Sequence, residues 1–212
     1  AFTAVLILMF MPLFDGKNGL NYLDSLYNSI SKGSAYFIPD LREKAKGHDG
    51  ESMEVEFTVA SPELAEQGAD LLNGAGISAS VSNDTVTAKG DLGKVLTAAL
   101  DDADLVFAND DQAVKDKYGL EARETMFAWW HVFKGMEQSL KDQKVFKPAK
   151  DIADISKKGL ETSYNFHGIA PEKITSRLVL VIFSLAFYVI YTMWYGYAIL
   201  FMFEGWGLKL EH

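Results

Sequence analysis

Apolar side chains run without interruption from Leu178 to Phe203, between Arg177 on one side and Glu204 on the other. At about 1.5 Å of rise per residue, a helix of this length crosses the roughly 30 Å hydrocarbon layer of a bilayer with some tilt. A chain of 212 residues has no core large enough to hide it. The pattern therefore predicts an integral membrane protein, with a transmembrane helix and tail over 178–208. A second apolar stretch, Phe2 to Phe14, is shorter, and Asp15-Gly16-Lys17 follows it where a cleavage site would carry small residues. It is expected to be the visible end of a first transmembrane helix over 1–14. The alternatives are a retained signal sequence or a short interfacial helix. Leu210-Glu211-His212 looks like the start of a Leu-Glu-polyhistidine tag, so 210–212, His212 included, are set aside.

Between the two apolar runs the periodicity changes. Leu20, Leu23, Tyr27 and Ile30 recur at helical spacing, which predicts an amphipathic helix over 18–30 near the membrane surface. Tyr36-Phe37-Ile38-Pro39 reads as extended, because a residue before proline avoids the helical region. Arg42 to Glu51 is charged, with Gly47 and Gly50, and reads as a loop that closes a segment over 15–52.

Residues 53–110 form the clearest folding unit. Glu54 to Val59 alternates polar and apolar positions, as a half-buried strand does. Ser61-Pro62-Glu63 is a helix start, with Ser as cap and Pro in the first turn. Gly74 and Gly76 end that helix, and 77–81 is a second strand. Asn83-Asp84 is a tight turn into a third strand over 85–88. Asp91 caps a second helix, and Leu105-Val106-Phe107 reads as a fourth strand. This β-α-β-β-α-β order resembles the ferredoxin-like superfold, an antiparallel sheet with two helices on one face. The resemblance rests on element order and carries no function. Residues 111–177 are expected to be a helical connector. Its centre is a long helix over 122–146 with Met126, Trp129, Trp130, Phe133, Met136 and Leu140 on one face, followed by a helix over 150–160 and an aromatic elbow over 164–171. The expected fold is thus two transmembrane helices bracketing a ferredoxin-like α+β domain and a helical connector.

The formal charge of −9 falls on the polar part and argues against nucleic acid as a partner. Without cysteine there is no iron–sulfur cluster, thiolate zinc site or thiol catalysis. His48, His131 and His167 all lie outside the apolar runs, so a haem held by two histidines within the membrane is excluded. No P-loop, glycine-rich dinucleotide loop, nucleophile elbow or paired-histidine zinc motif is present. No cofactor, metal or catalytic residue is assigned, and an enzyme is the weaker class.

The candidate interaction residues lie on helices. Ser184, Tyr188, Tyr191 and Tyr195 follow one helical face of the long apolar run. Hydroxyls are disfavoured against lipid, so this stripe is either a pore lining or a helix–helix interface. Trp129, Trp130 and Phe133 are candidates for the membrane interface, where aromatic residues concentrate, or for ordinary packing. Asp101, Asp102, Asp104, Asp110 and Asp111 cluster in sequence but lack the spacing of a calcium loop, so a solvated acidic surface is the better reading. His131 and His167 are lone histidines with structural roles expected.

Lys17, Lys32, Lys157, Lys158, Lys173 and Arg177 all lie between the apolar runs, which favours the cytoplasm for that region, with a bacterial inner membrane as the expected location. The expected partners are the lipid bilayer and either further copies of the chain or other membrane subunits. The expected function is a non-catalytic homo-oligomeric, channel-like assembly or an accessory subunit of a membrane complex. The alternatives are a tethered sensor that binds a small ligand through the β-α-β-β-α-β unit, or a subunit of a membrane-bound enzyme. The layout resembles that of several oligomeric channels and of polysaccharide chain-length regulators.

Overall fold

The computed structural model describes residues 2–14 and 16–207. Residues 210–212, expected to be a tag remnant, lie outside them. The chain divides into two compact units, Ala35–Ile169 and Ala1–Ser34 together with Ala170–His212. The protein is 71% helical and has a single three-stranded sheet.

Helices α1 (Phe2–Phe10) and α2 (Gly19–Ser34) belong to the second of these units, and α3 (Ile38–Lys46) opens the unit Ala35–Ile169. This helix takes in Ile38-Pro39 of the expected extended segment and residues 42–46 of the expected loop, while Tyr36-Phe37 stay outside it and 47–50 form a turn. Pro39 sits in the first turn, where its missing N–H costs nothing, and Ile38, Leu41 and Ala45 point into the core. Strand β1 (Ser52–Thr58) follows, then α4 (Pro62–Gly74), β2 (Ser78–Ser82), β3 (Thr85–Asp91) and α5 (Leu92–Phe107). Ser61 caps α4 by accepting from the Leu64 amide at 3.2 Å, and Asp91 caps α5 by accepting from Lys94 at 3.3 Å. Asn83, at φ +59°, makes the turn of the β2–β3 hairpin. The sheet order is β1-β3-β2, antiparallel throughout.

The expected fourth strand does not form, and this overturns the ferredoxin-like reading. Leu105-Val106-Phe107 is the last turn of α5. Ala99, Leu100, Ala103, Val106 and Phe107 are all buried at intervals of three and four, so the helical face continues through the apolar triplet. The β1 edge is covered by α7 (Ala122–Asp142). Ser139 Oγ accepts from the Glu56 amide at 3.3 Å, and Gln143, just beyond α7, donates to the Glu54 carbonyl at 2.9 Å. These side chains meet backbone groups that a fourth strand would have paired. Gly135 permits the close approach, because a Cβ there would collide with the Phe57 ring.

After α5 come α6 (Asp111–Tyr118), α7, α8 (Phe146–Ile155), a π-turn over Ser156–Leu160 and α9 (Glu161–Phe166). Lys144, at φ +64°, separates α7 from α8. Pro148 lies in the first turn of α8. Residues expected to form a separate connector therefore share one core with the sheet: Trp129, Phe133 and Met136 pack in the same cluster as Val55, Val86 and Leu96.

In the other unit, α1 is nine residues long, about 13.5 Å, well under what a bilayer crossing needs. Among the described residues the expected first transmembrane helix over 1–14 is therefore not shown, which removes the two-span bracket from the expected fold. Pro12 follows the helix end, and Phe14 and Lys17 exchange backbone hydrogen bonds of 3.0 and 2.8 Å that turn the chain back. α2 follows, as its periodicity predicts. Glu172 docks on it through its amide to the Ser29 carbonyl, 3.0 Å, against Gly33, where a Cβ would stand 2.6 Å from the Glu172 carbonyl oxygen. A 3₁₀ turn over Ile174–Arg177 leads into α10 (Leu178–Gly205), 28 residues. The segment Ile174–Gly205 is the one helix among the described residues long and apolar enough to cross a membrane.

Candidate functional site

α10 is apolar on every side, and only Val181 and Ser184 are buried along it. Val179 is 83% exposed, Tyr188 67% and Phe201 65%. Its hydroxyl stripe divides between two environments. Ser184 Oγ donates to the Val181 carbonyl at 2.9 Å and lies 2.6 Å from the Tyr27 hydroxyl of α2. The Tyr191 ring stacks on Phe2 of α1, centroids 5.0 Å apart, and Tyr195 packs on the same Phe2 ring at 5.7 Å. Tyr191 Oη is shielded from solvent and has no hydrogen-bond partner among the described residues. Two of the four hydroxyl-bearing side chains thus contact α1 and a third contacts α2, while Tyr188 points outward.

The second feature lies in the unit Ala35–Ile169. A cavity of about 330 Å³ opens between α7 and α9. Met126 and Leu160, both fully buried, line its depth; Phe127, Trp130 and Tyr164 supply aromatic walls. Its polar groups are Glu161 and Asn165, and the Trp130 indole N–H donates to Glu161 Oε1 at 2.9 Å. The π-turn over 156–160 sets the start of α9 and hence the position of Glu161. Such turns occur often at functional sites. Gly159 lets this turn seat against Leu100 and Leu41, where a Cβ would approach their methyl groups to 3.2 and 3.3 Å. Arg123 stands over the Tyr164 ring at 5.3 Å and Lys134 over the Trp130 ring at 5.6 Å.

Of the aromatic residues picked out by sequence, Trp129 and Phe133 are fully buried, their rings edge to face at 5.9 Å, and only Trp130 reaches the surface. The packing alternative therefore describes the first two. Glu161 and Phe127 carried no sequence signal for a site. Tyr164 and Asn165 fell in the aromatic elbow, but the π-turn that brings α9 to α7 has no pattern in the sequence.

The acidic residues of 101–111 are used separately. Asp101 and Asp104 each pair with Arg42 at 3.0 Å. Asp110 caps α6, and Asp111 meets His167 Nε2 at 2.7 Å. Asp102 is wholly buried; it accepts from Lys117 Nζ and the Tyr118 hydroxyl, each 2.7 Å, and from the Trp129 indole at 2.8 Å. Burial, and then the neighbouring Asp102 charge, pushes the Tyr118 hydroxyl well above its ordinary range, so it stays a proton donor. His48 is also buried, with Glu51 at 2.5 Å from Nδ1 and Asp151 at 3.0 Å from Nε2. Burial lowers the pKa of His131, whose ring meets Phe127 and Trp130 edge to face. Among the described residues no group of three or more His, Asp or Glu is placed to hold a metal ion. Comparisons of the chain with protein-family models, curated proteins and solved structures find no match.

Proposed function

We propose that the protein is a non-catalytic, membrane-anchored accessory subunit, with α10 as its anchor and the unit Ala35–Ile169 as the folded body it carries. The observation behind this reading is the all-round apolar surface of α10. A helix of that kind needs lipid or other apolar helices on every side, and along α10 only Val181 and Ser184 are buried. The stripe supports a subunit over a channel-like assembly. Ser184 and Tyr191 are engaged with α2 and α1, which breaks any continuous hydroxyl path along the helix.

Alkaline extraction of membranes, followed by native mass measurement in mild detergent, tests both parts. The full chain should resist extraction and migrate with a mass above its own 23.5 kDa plus detergent. Release at high pH removes the anchor, and a clean monomer removes the subunit reading.

A further inference from the structure

The α7–α9 cavity has an unusual combination of walls. Its rings are Phe127, Trp130 and Tyr164, and its one lining carboxylate is Glu161. One Glu161 oxygen is held by the Trp130 indole N–H, while the other has no hydrogen-bond partner among the described residues. We infer that this cavity binds a small organic cation, an ammonium group carrying an apolar body. This assignment stands independently of the membrane-subunit reading.

Three arguments lead to that ligand class. Aromatic faces attract cations through their quadrupole, and a ring cage is the usual receptor for substituted ammonium groups. The chain's own cations already stand over two of these rings: Arg123 over Tyr164 and Lys134 over Trp130. Both residues are exposed, so solvent and salt screen their repulsion of a bound cation. A neutral apolar ligand would strip water from the open Glu161 oxygen and return nothing. An anion would meet the carboxylate directly. A cation compensates the lost hydration and uses the rings as well. A hard metal ion is excluded by the donor set, since one carboxylate among rings cannot replace its oxygen shell.

The size agrees. About 330 Å³ is at the small end of the roughly 300–1,000 Å³ typical of small-molecule sites. The site is also organised before binding. The indole fixes the carboxylate, and α7 itself is tied down by the neighbouring Trp129, whose indole donates to buried Asp102. Little ordering cost then remains for the ligand to meet.

Calorimetric titration of the full chain, in a maltoside detergent free of ammonium groups, decides the matter. Choline and its neutral carbon isostere, neohexyl alcohol, serve as matched probes. Choline should bind saturably and the alcohol should not. Glu161→Gln keeps an acceptor for the indole but removes the charge, and should weaken choline binding about tenfold or more. Tyr164→Leu should weaken it through loss of the ring, and carries the test if the first variant misfolds. Equal binding of choline and the alcohol would mean a merely apolar pocket and would overturn the assignment. Choline binding indifferent to both substitutions would overturn it too, as would no saturable binding of choline, tetramethylammonium or benzyltrimethylammonium.

Discussion

The Tyr27 hydroxyl lies 2.6 Å from Ser184 Oγ and ties α2 to α10 across 157 positions of sequence. Ser184 spends its own proton on the Val181 carbonyl, so Tyr27 is the donor. The bond is partly buried, where a net contribution of about 1 kcal/mol is expected. Tyr27→Phe and Ser184→Ala should each destabilise this unit by about that amount. The double variant should cost less than the sum, because the second change removes nothing further. Unfolding of the full chain in detergent, run as a double-mutant cycle, measures the coupling; strict additivity would show that the contact contributes nothing.

Asp102 holds three helices together. Its donors come from α6 (Lys117 and Tyr118) and α7 (Trp129), and it belongs to α5. Asp102→Ala leaves the Trp129 and Tyr118 donors without an acceptor and should cost about 3–5 kcal/mol. Asp102→Asn keeps the shape and one acceptor oxygen, so its cost should be smaller but still measurable. Urea unfolding followed by tryptophan fluorescence reads both. An alanine variant as stable as the parent would show that these groups find water instead.

Acid should weaken the fold through the Lys44 cluster. Burial pushes the Asp151 carboxyl up, but hydrogen bonds from His48 and Lys44 outweigh it, and the net pKa is below the ordinary value. Asp154 is lowered chiefly by its hydrogen bond from Lys44 at 2.5 Å. Both folded pKa values lie below the unfolded ones. Their stabilisation is therefore complete above the ordinary carboxyl range and is lost as pH falls below about 5 and through the folded values. Lys44→Met should lower stability near neutral pH and flatten its decline in that acid window. Thermal midpoints of parent and variant that fall in parallel would exclude Lys44 as the cause.

Gly135 and Gly196 make a controlled pair. Both lie in helices, where alanine is intrinsically preferred by about 1 kcal/mol. At Gly135 the new methyl would collide with the Phe57 ring of β1, whereas Gly196 has nothing within 4 Å. Gly135→Ala should thus lose about 1–3 kcal/mol as α7 is pushed off the sheet edge. Gly196→Ala should leave the stability of the isolated chain unchanged or slightly raised. Thermal unfolding of the two variants side by side separates them, and a neutral Gly135→Ala would show that α7 does not press on β1.

Local chemistry was legible where one residue type has one geometric use. Ser61 and Asp91 were readable as caps, Asn83-Asp84 as a hairpin turn, and 178–203 as a helix of membrane-crossing length. The failures share a cause. Leu105-Val106-Phe107 is too short for period two and period 3.6 to be told apart, and only the buried positions upstream show that the helix continues. Pro39 ended an extended reading but sits in a helix's first turn, which proline tolerates as well. The cavity was invisible because its two walls, Trp130 and Glu161, are brought together by a π-turn, a register shift without a hydrophobic signature.

The tyrosine stripe separates what the chain does for itself from what a neighbour does for it. Tyr191 and Tyr195 pack on Phe2 through their rings, so replacing Tyr188, Tyr191 and Tyr195 together by Phe preserves those contacts and removes only hydroxyls. Among the described residues Tyr191 Oη has no partner to lose. Intrachain stability should therefore hold or rise slightly. If the protein is a subunit, its association should loosen by about 0.6 to 2 kcal/mol for each interhelical hydrogen bond removed. Dilution of the native complex in detergent, read by mass, gives the association term, and thermal unfolding of the dissociated chain gives the other. Loosened assembly with an unchanged monomer places the hydroxyls at an intersubunit contact. A less stable monomer with unchanged association would assign them to the chain's own packing. If neither quantity moves, the stripe faces headgroups or lipid, and the contact with a neighbour must be sought elsewhere on α10.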